Sequence, residues 1–168
     1  MRAHIVENGV ISNTIEVESL SVIPGLVAAV GNESVGWLFD GNTFSAPAAD
    51  LTALRTAHWE EIKRERDRRT QQGGYQVAGK WYHSDTFSRT QQMGLVMMGA
   101  GIPGGLQWKT MDGSFVTMTQ TLAGQVFAAA AASDAAMFSH AEQIKAAMEA
   151  DPVNFQLASQ TWPAVFGE

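Results

Sequence analysis

Gly36-Trp37-Leu38-Phe39-Asp40-Gly41-Asn42-Thr43-Phe44 and Trp108-Lys109-Thr110-Met111-Asp112-Gly113-Ser114-Phe115-Val116-Thr117 are built alike, each with a tryptophan, alternating apolar residues and a central Asp-Gly. An Asp-Gly pair between such flanks predicts a hairpin with a tight primed turn, because both residues tolerate positive φ. Asn8-Gly9 interrupts the alternation from Ala3 to Val17 and predicts a first hairpin, with His4-Ile5-Val6 against Val10-Ile11-Ser12. Val22 to Val30, opened by Pro24-Gly25, suits a further strand. Residues 1–46 therefore read as a small antiparallel β module, and Ser45-Ala46-Pro47-Ala48-Ala49 marks its end.

Beyond that boundary the period changes. Asp50 is a candidate N-cap for a helix over 51–71, closed by Gly73-Gly74, with Leu51, Leu54, His58 and Ile62 as its apolar stripe. Glu60 with Arg64 and Glu65 with Arg69 stand at favourable i, i+4 spacing. Tyr75 to Tyr82 predicts a hairpin turning at Ala78-Gly79, and Ser84 or Asp85 can cap a second helix over 87–98. A glycine-rich loop, 99–105, stops it and leads into the Trp108 hairpin. Thr119 then caps a helix over about 120–150, ended by Asp151-Pro152; at 1.5 Å per residue it is about 45 Å long. Leu122, Val126, Ala130, Met137, Ile144 and Met148 form its core stripe, widened by Phe127, Phe138 and Ala141. The fold class is α+β: a small N-terminal antiparallel β module, then a helix–hairpin–helix–hairpin–long helix domain over 47–151. Residues 152–168 follow as an apolar C-terminal arm carrying Phe155, Leu157, Trp162 and Phe166.

Composition narrows the function. A formal charge of −6 over 168 residues argues against a nucleic-acid binder, which carries a net basic face. Residues 51–69 alone are locally basic, and there acids alternate with the bases, as on a solvated helix face laced with ion pairs. The absence of cysteine excludes disulfides, thiolate metal sites and cysteine nucleophiles. No apolar run approaches the roughly 18 residues of a membrane span, so no membrane insertion is expected, and the N-terminus does not read as a signal peptide.

No motif assembles an active centre. His4, His58, His83 and His140 have no spacing that brings two of them to one metal. His83-Ser84-Asp85 contains the residue types of a nucleophilic triad, yet neighbours in one turn cannot place the base between nucleophile and orienter. Helix capping is the simpler role. The 99–105 loop lacks the strand before it, and the Gly-Lys-Ser/Thr after it, that a phosphate loop needs. Catalytic, cofactor-binding and metal-ligating residues are therefore expected to be none. Among the tryptophans, Trp81 or Trp108 could stack on a glycan if exposed.

Two stretches resemble a known family. Residues 5–15, followed by 36–47 with its Gly-Trp-x-x-Asp-Gly-x-x-Phe-x-x-Pro ending, resemble the N-terminal module of tailed-phage tail fibre and tail fibre assembly proteins. Residues of about 59–150 are similar to an uncharacterised domain of phage and prophage tail proteins. Its marks here are Arg66-Asp67, the hairpin from Val77 to Trp81, Ser84-Asp85 and the Trp108–Gly113 turn before a long helix. The resemblance implies a non-enzymatic role in a phage tail, near the baseplate or fibres, in a protein made in the host cytoplasm and carried in the virion. Its implied partners are other tail proteins, with a fibre assembly chaperone and a host receptor or glycan-binding module as alternatives. The broad apolar face of the long helix adds a homo-oligomer as an expectation, against a helix wrapped by its own domain. The candidate partner-binding residues are Val126, Phe127, Phe138, Phe155, Leu157, Trp162 and Phe166.

Overall fold

The computed structural model describes residues 1–168, in two compact units, Met1–Asp50 and Leu51–Glu168. The class is α+β.

In the first unit β1 (Arg2–Glu7) and β2 (Val10–Glu16) form a hairpin on Asn8-Gly9, whose φ values of 53° and 76° fit a two-residue primed turn. The register differs from the expected one. Val6 faces Ile11, but Ile5 faces Asn13 and His4 faces Thr14, because Ser12 is extruded as a bulge and its hydroxyl donates to the Ile5 carbonyl at 3.2 Å. β3 (Leu26–Ala28) pairs with β1, while β4 (Leu38–Phe39) and β5 (Phe44–Ser45) extend the sheet beyond β2, giving the order β3-β1-β2-β4-β5. The Asp40-Gly41 turn forms in a different way from the expected one. Only Gly41 has positive φ, and Asp40, the residue after β4, caps the turn, its carboxylate accepting from the amides of Asn42 (2.8 Å) and Thr43 (2.7 Å).

The second unit is organised along its last helix. It contains α1 (Leu51–Gln72), the hairpin β6 (Tyr75–Val77) and β7 (Lys80–Tyr82), α2 (Thr86–Met98), the hairpin β8 (Gln107–Lys109) and β9 (Phe115–Thr117), and α3 (Gln120–Ala150). Asp85 caps α2 by accepting from Ser88 N, and Thr119 caps α3 by accepting from Leu122 N. The Asp112 turn is a three-residue loop: Gly113 N donates to the Thr110 carbonyl (3.0 Å), and Gly113 takes the left-handed conformation at φ 84°.

The buried side of α3 is Ala123, Val126, Ala130, Met137, Ala141, Ile144 and Met148, a single narrow stripe at three- and four-residue steps. Ala123, not Leu122, is the buried residue of its first turn. This stripe serves two cores in succession. Val126 and Ala130 join Tyr75, Tyr82, Leu95 and Met118, while Ile144 and Met148 join Ile62 and Phe155. α1 lies antiparallel on the C-terminal half, with Arg55 reaching the Glu149 carbonyl and the Arg66 guanidinium 4.4 Å from the Phe138 ring centre. α2 lies antiparallel on the N-terminal half, joined by Arg89 and Asp134 at 2.5 Å. Two helices in tandem thus cover one side of a 31-residue helix. No helix is long and apolar enough to cross a membrane.

Residues 151–168 fold back on this unit. Phe155 and Val165 are buried, Phe166 N donates to the Gly73 carbonyl at 2.8 Å, and Arg69 binds the Glu168 carboxylate and the Pro163 carbonyl. The close approach depends on Gly73: a Cβ there would collide with the Arg69 carbonyl and the Val165 side chain.

Candidate functional site

Most of the side chains that the sequence singled out for chemistry are occupied in holding the fold. The Ser84 hydroxyl accepts from Gly74 N at 3.0 Å, and Asp85 accepts from both the amide and the hydroxyl of Ser88, at 2.9 and 2.7 Å. Those Ser88 bonds, the amide's first, hold the Asp85 carboxyl below its ordinary value. His83-Ser84-Asp85 is thus the start of α2. His58 and His140 bond the Pro152 and Thr161 carbonyls, tying the C-terminal segment to α1 and α3. In the first unit His4 is fully buried, with Nδ1 2.8 Å from Thr14 Oγ1 and Nε2 3.7 Å from Glu33.

Three polar joints tie the second unit together. At the first, Arg89 donates to the Ser84 carbonyl (2.6 Å), the Thr70 carbonyl (3.0 Å) and both Asp134 oxygens (2.5 and 2.8 Å), so one guanidinium joins α1, α2 and α3. At the second, Lys80 donates to Asp112 and Ser114 at 2.8 Å each, and Met111 N donates to the Trp81 carbonyl. Lys80 first, then the Thr110 and Ser114 hydroxyls, hold Asp112 far below the ordinary carboxylate range. At the third, Glu65 accepts from Arg68 and Arg69, which lower its pKa from 4.5 to about 2. The Glu65–Arg69 pair forms at the expected spacing, whereas Glu60 pairs with Lys63 rather than with Arg64.

The seven candidate partner-binding residues divide by location. Val126 is wholly buried and Phe155 is 8% exposed, so both are spent in their own cores. Leu157 and Trp162 are half-buried against the second core, and Trp162 lies 5.5 Å from the His140 ring. Phe166 is exposed at its edge and meets Trp81 at 6.3 Å. The arm is therefore a docked segment, held by the apolar burial that its composition demands. Phe127 and Phe138 lie on the flank of α3, 45% and 49% exposed, Phe127 beside Arg89 and Gln92 of α2 and Phe138 under the Arg66 guanidinium of α1. Ala128, Ala131, Ala132 and Ala135 are exposed with them. All five tryptophans are half-buried.

One feature has no counterpart in the sequence patterns. A groove of about 430 Å³ opens between α2 and β8, walled by His83, Phe87 and Gln91 on one side and by the consecutive residues 106–109 on the other. Phe87 at its rim is 71% exposed. A strand's outer edge becomes a groove only when a helix from elsewhere in the chain stands beside it, so no local pattern announces it.

No curated protein and no solved structure matches the chain significantly. Residues 53–160, nearly two thirds of the chain, match the family model described as a domain of unknown function (DUF4376), and the chain belongs to that family.

Proposed function

We propose that this protein is a structural component of a bacteriophage tail, placed near the baseplate or fibres, where it attaches one tail protein to another without catalysing a reaction. The observation that carries the attachment role is the one-sided burial of α3. Its inner stripe is saturated by α1 and α2, while its remaining surface presents small alanines flanked by the half-exposed Phe127 and Phe138, a surface that a helix of a neighbouring protein or of a second copy can approach closely. The tail context rests on the resemblance of residues 36–47 and of the Trp108–Gly113 turn to phage tail proteins. The location that follows is the virion tail, after synthesis in the host cytoplasm.

A fibre assembly chaperone is the second reading, supported by the outer face of α2. Met93, Met97 and Met98 are exposed there with Phe87, and flexible methionines suit transient binding to varied apolar segments. Quantitative mass spectrometry of purified particles and of infected-cell lysate separates the two. Stoichiometric presence in particles is the expected result; presence in lysate alone would replace the structural role with the chaperone.

A further inference from the structure

The hydrogen-bond parity of β8 leaves its outer edge open, and that edge forms one wall of the groove. Met118 N donates to the Leu106 carbonyl (2.8 Å) and Thr110 N donates to the Ser114 carbonyl (2.9 Å). The bonded pairs of this hairpin therefore fall at 106 with 118, 108 with 116 and 110 with 114. Gln107 and Lys109, opposite Thr117 and Phe115, are the non-hydrogen-bonded positions, whose N–H and C=O groups point away from β9. The groove lies on that side: residues 106–109 line it and no residue of β9 does. Its far wall is the first half of α2 with His83, so a single extended chain has a sheet edge on one flank and a helix on the other.

Charge selects the kind of chain. Lys109 is exposed with no ion-pair or hydrogen-bond partner, and no acidic residue lines the groove. Asp85, near His83, is committed to Ser88. In a protein of net charge −6 this is a single unpaired cation in a groove bordered by the ring of Phe87. Pairing of β8 with the β8 of a second copy is obstructed, since an α2 stands beside each of the two edges.

We infer that β8 accepts an extended, acidic segment of a partner protein as a third strand, lying between β8 and α2. The main-chain groups of Gln107 and Lys109 supply the pairing, Lys109 meets an acidic side chain, and Phe87 covers an apolar one. The three residues of β8 span roughly 10 Å, so three or four partner residues take part. This surface is separate from α3, and absence of the protein from phage particles would leave it standing.

The test uses the full chain and an acetylated, amidated octapeptide of alternating valine and glutamate. Controls replace its glutamates by lysine, or N-methylate alternate residues so that one edge cannot donate. Backbone amide exchange is followed by NMR. The expected result is slowing of about tenfold or more at Gln107 and Lys109 with the acidic peptide, and none with the N-methylated one. Lys109→Glu should weaken the acidic peptide about tenfold, and Phe87→Ala should weaken both charged peptides while thermal stability holds. Lack of protection, protection that survives N-methylation, or protection mapped elsewhere would overturn the inference. So would concentration-dependent protection of β8 without peptide, which would make a second copy the occupant.

Discussion

Ala78 holds φ 50° and Gly79 φ 77° in the two-residue turn between β6 and β7, a conformation that costs an alanine on the order of 1 kcal/mol. Ala78→Asn should therefore stabilise the second unit by about 0.5–1 kcal/mol, seen as a higher thermal midpoint in calorimetry. Gly74 poses the opposite case. It takes φ 70°, and a Cβ there would strike the Met111 sulfur and the Tyr82 carbonyl. Gly74→Ala should lower stability by about 2 kcal/mol or more in denaturant unfolding. Glu65 carries the acid sensitivity of this region. Arg68 and Arg69 lower its pKa from 4.5 to about 2, so its contribution is complete above pH 4.5 and is lost as pH falls through about 2. Glu65→Gln should flatten the stability profile across that window, by about 1 kcal/mol once solvent screening is allowed for.

Among the elements, α3 acts as a spine because two shorter helices share its inner stripe, and Arg89 sits where they meet. Removing that guanidinium leaves Asp134 half-buried and unpaired and frees the Thr70 and Ser84 carbonyls. Arg89→Ala should cost about 2–4 kcal/mol in equilibrium unfolding, and Arg89→Lys should recover only part of it, since one ammonium cannot serve three directions. On the flank of α3 the expectation is different. Phe127→Gln should change stability by less than about 0.5 kcal/mol while reducing attachment to the tail partner, as measured by co-sedimentation with particles. Preserved attachment would remove this face from the binding role. Capping was plain in the sequence at this scale. Asp85, one of the two candidate caps with Ser84, begins α2 and Thr119 begins α3, because a cap is a contact within four residues.

For the whole molecule, the C-terminal segment decides what a truncation means. Phe155 and Val165 are core residues, so deleting 152–168 should unfold the second unit and reduce its helical circular dichroism, whereas an accessory arm would leave that signal unchanged. The α+β class, the hairpins, the two shorter helices and the long third one were legible in the sequence, because turns, caps and hydrophobic period are set by neighbours a few residues apart. It also placed the ends of the helices to within a residue or two. Other features took their form only in the folded chain. Asp40 became the cap of its turn instead of a central residue, and Asp112, in the middle of a three-residue loop, accepts from Ser114 N without taking positive φ, since a carboxylate can reach the amides two or three positions on. A bulge at Ser12 reset the first hairpin's register. The breadth of the apolar face on α3 did not reveal that only one stripe is buried, because that depends on α1 and α2 meeting end to end along it. The arm and the β8 groove were hidden for the same reason: burial and edge exposure are set by contacts between residues far apart in the chain, and no local spacing encodes them.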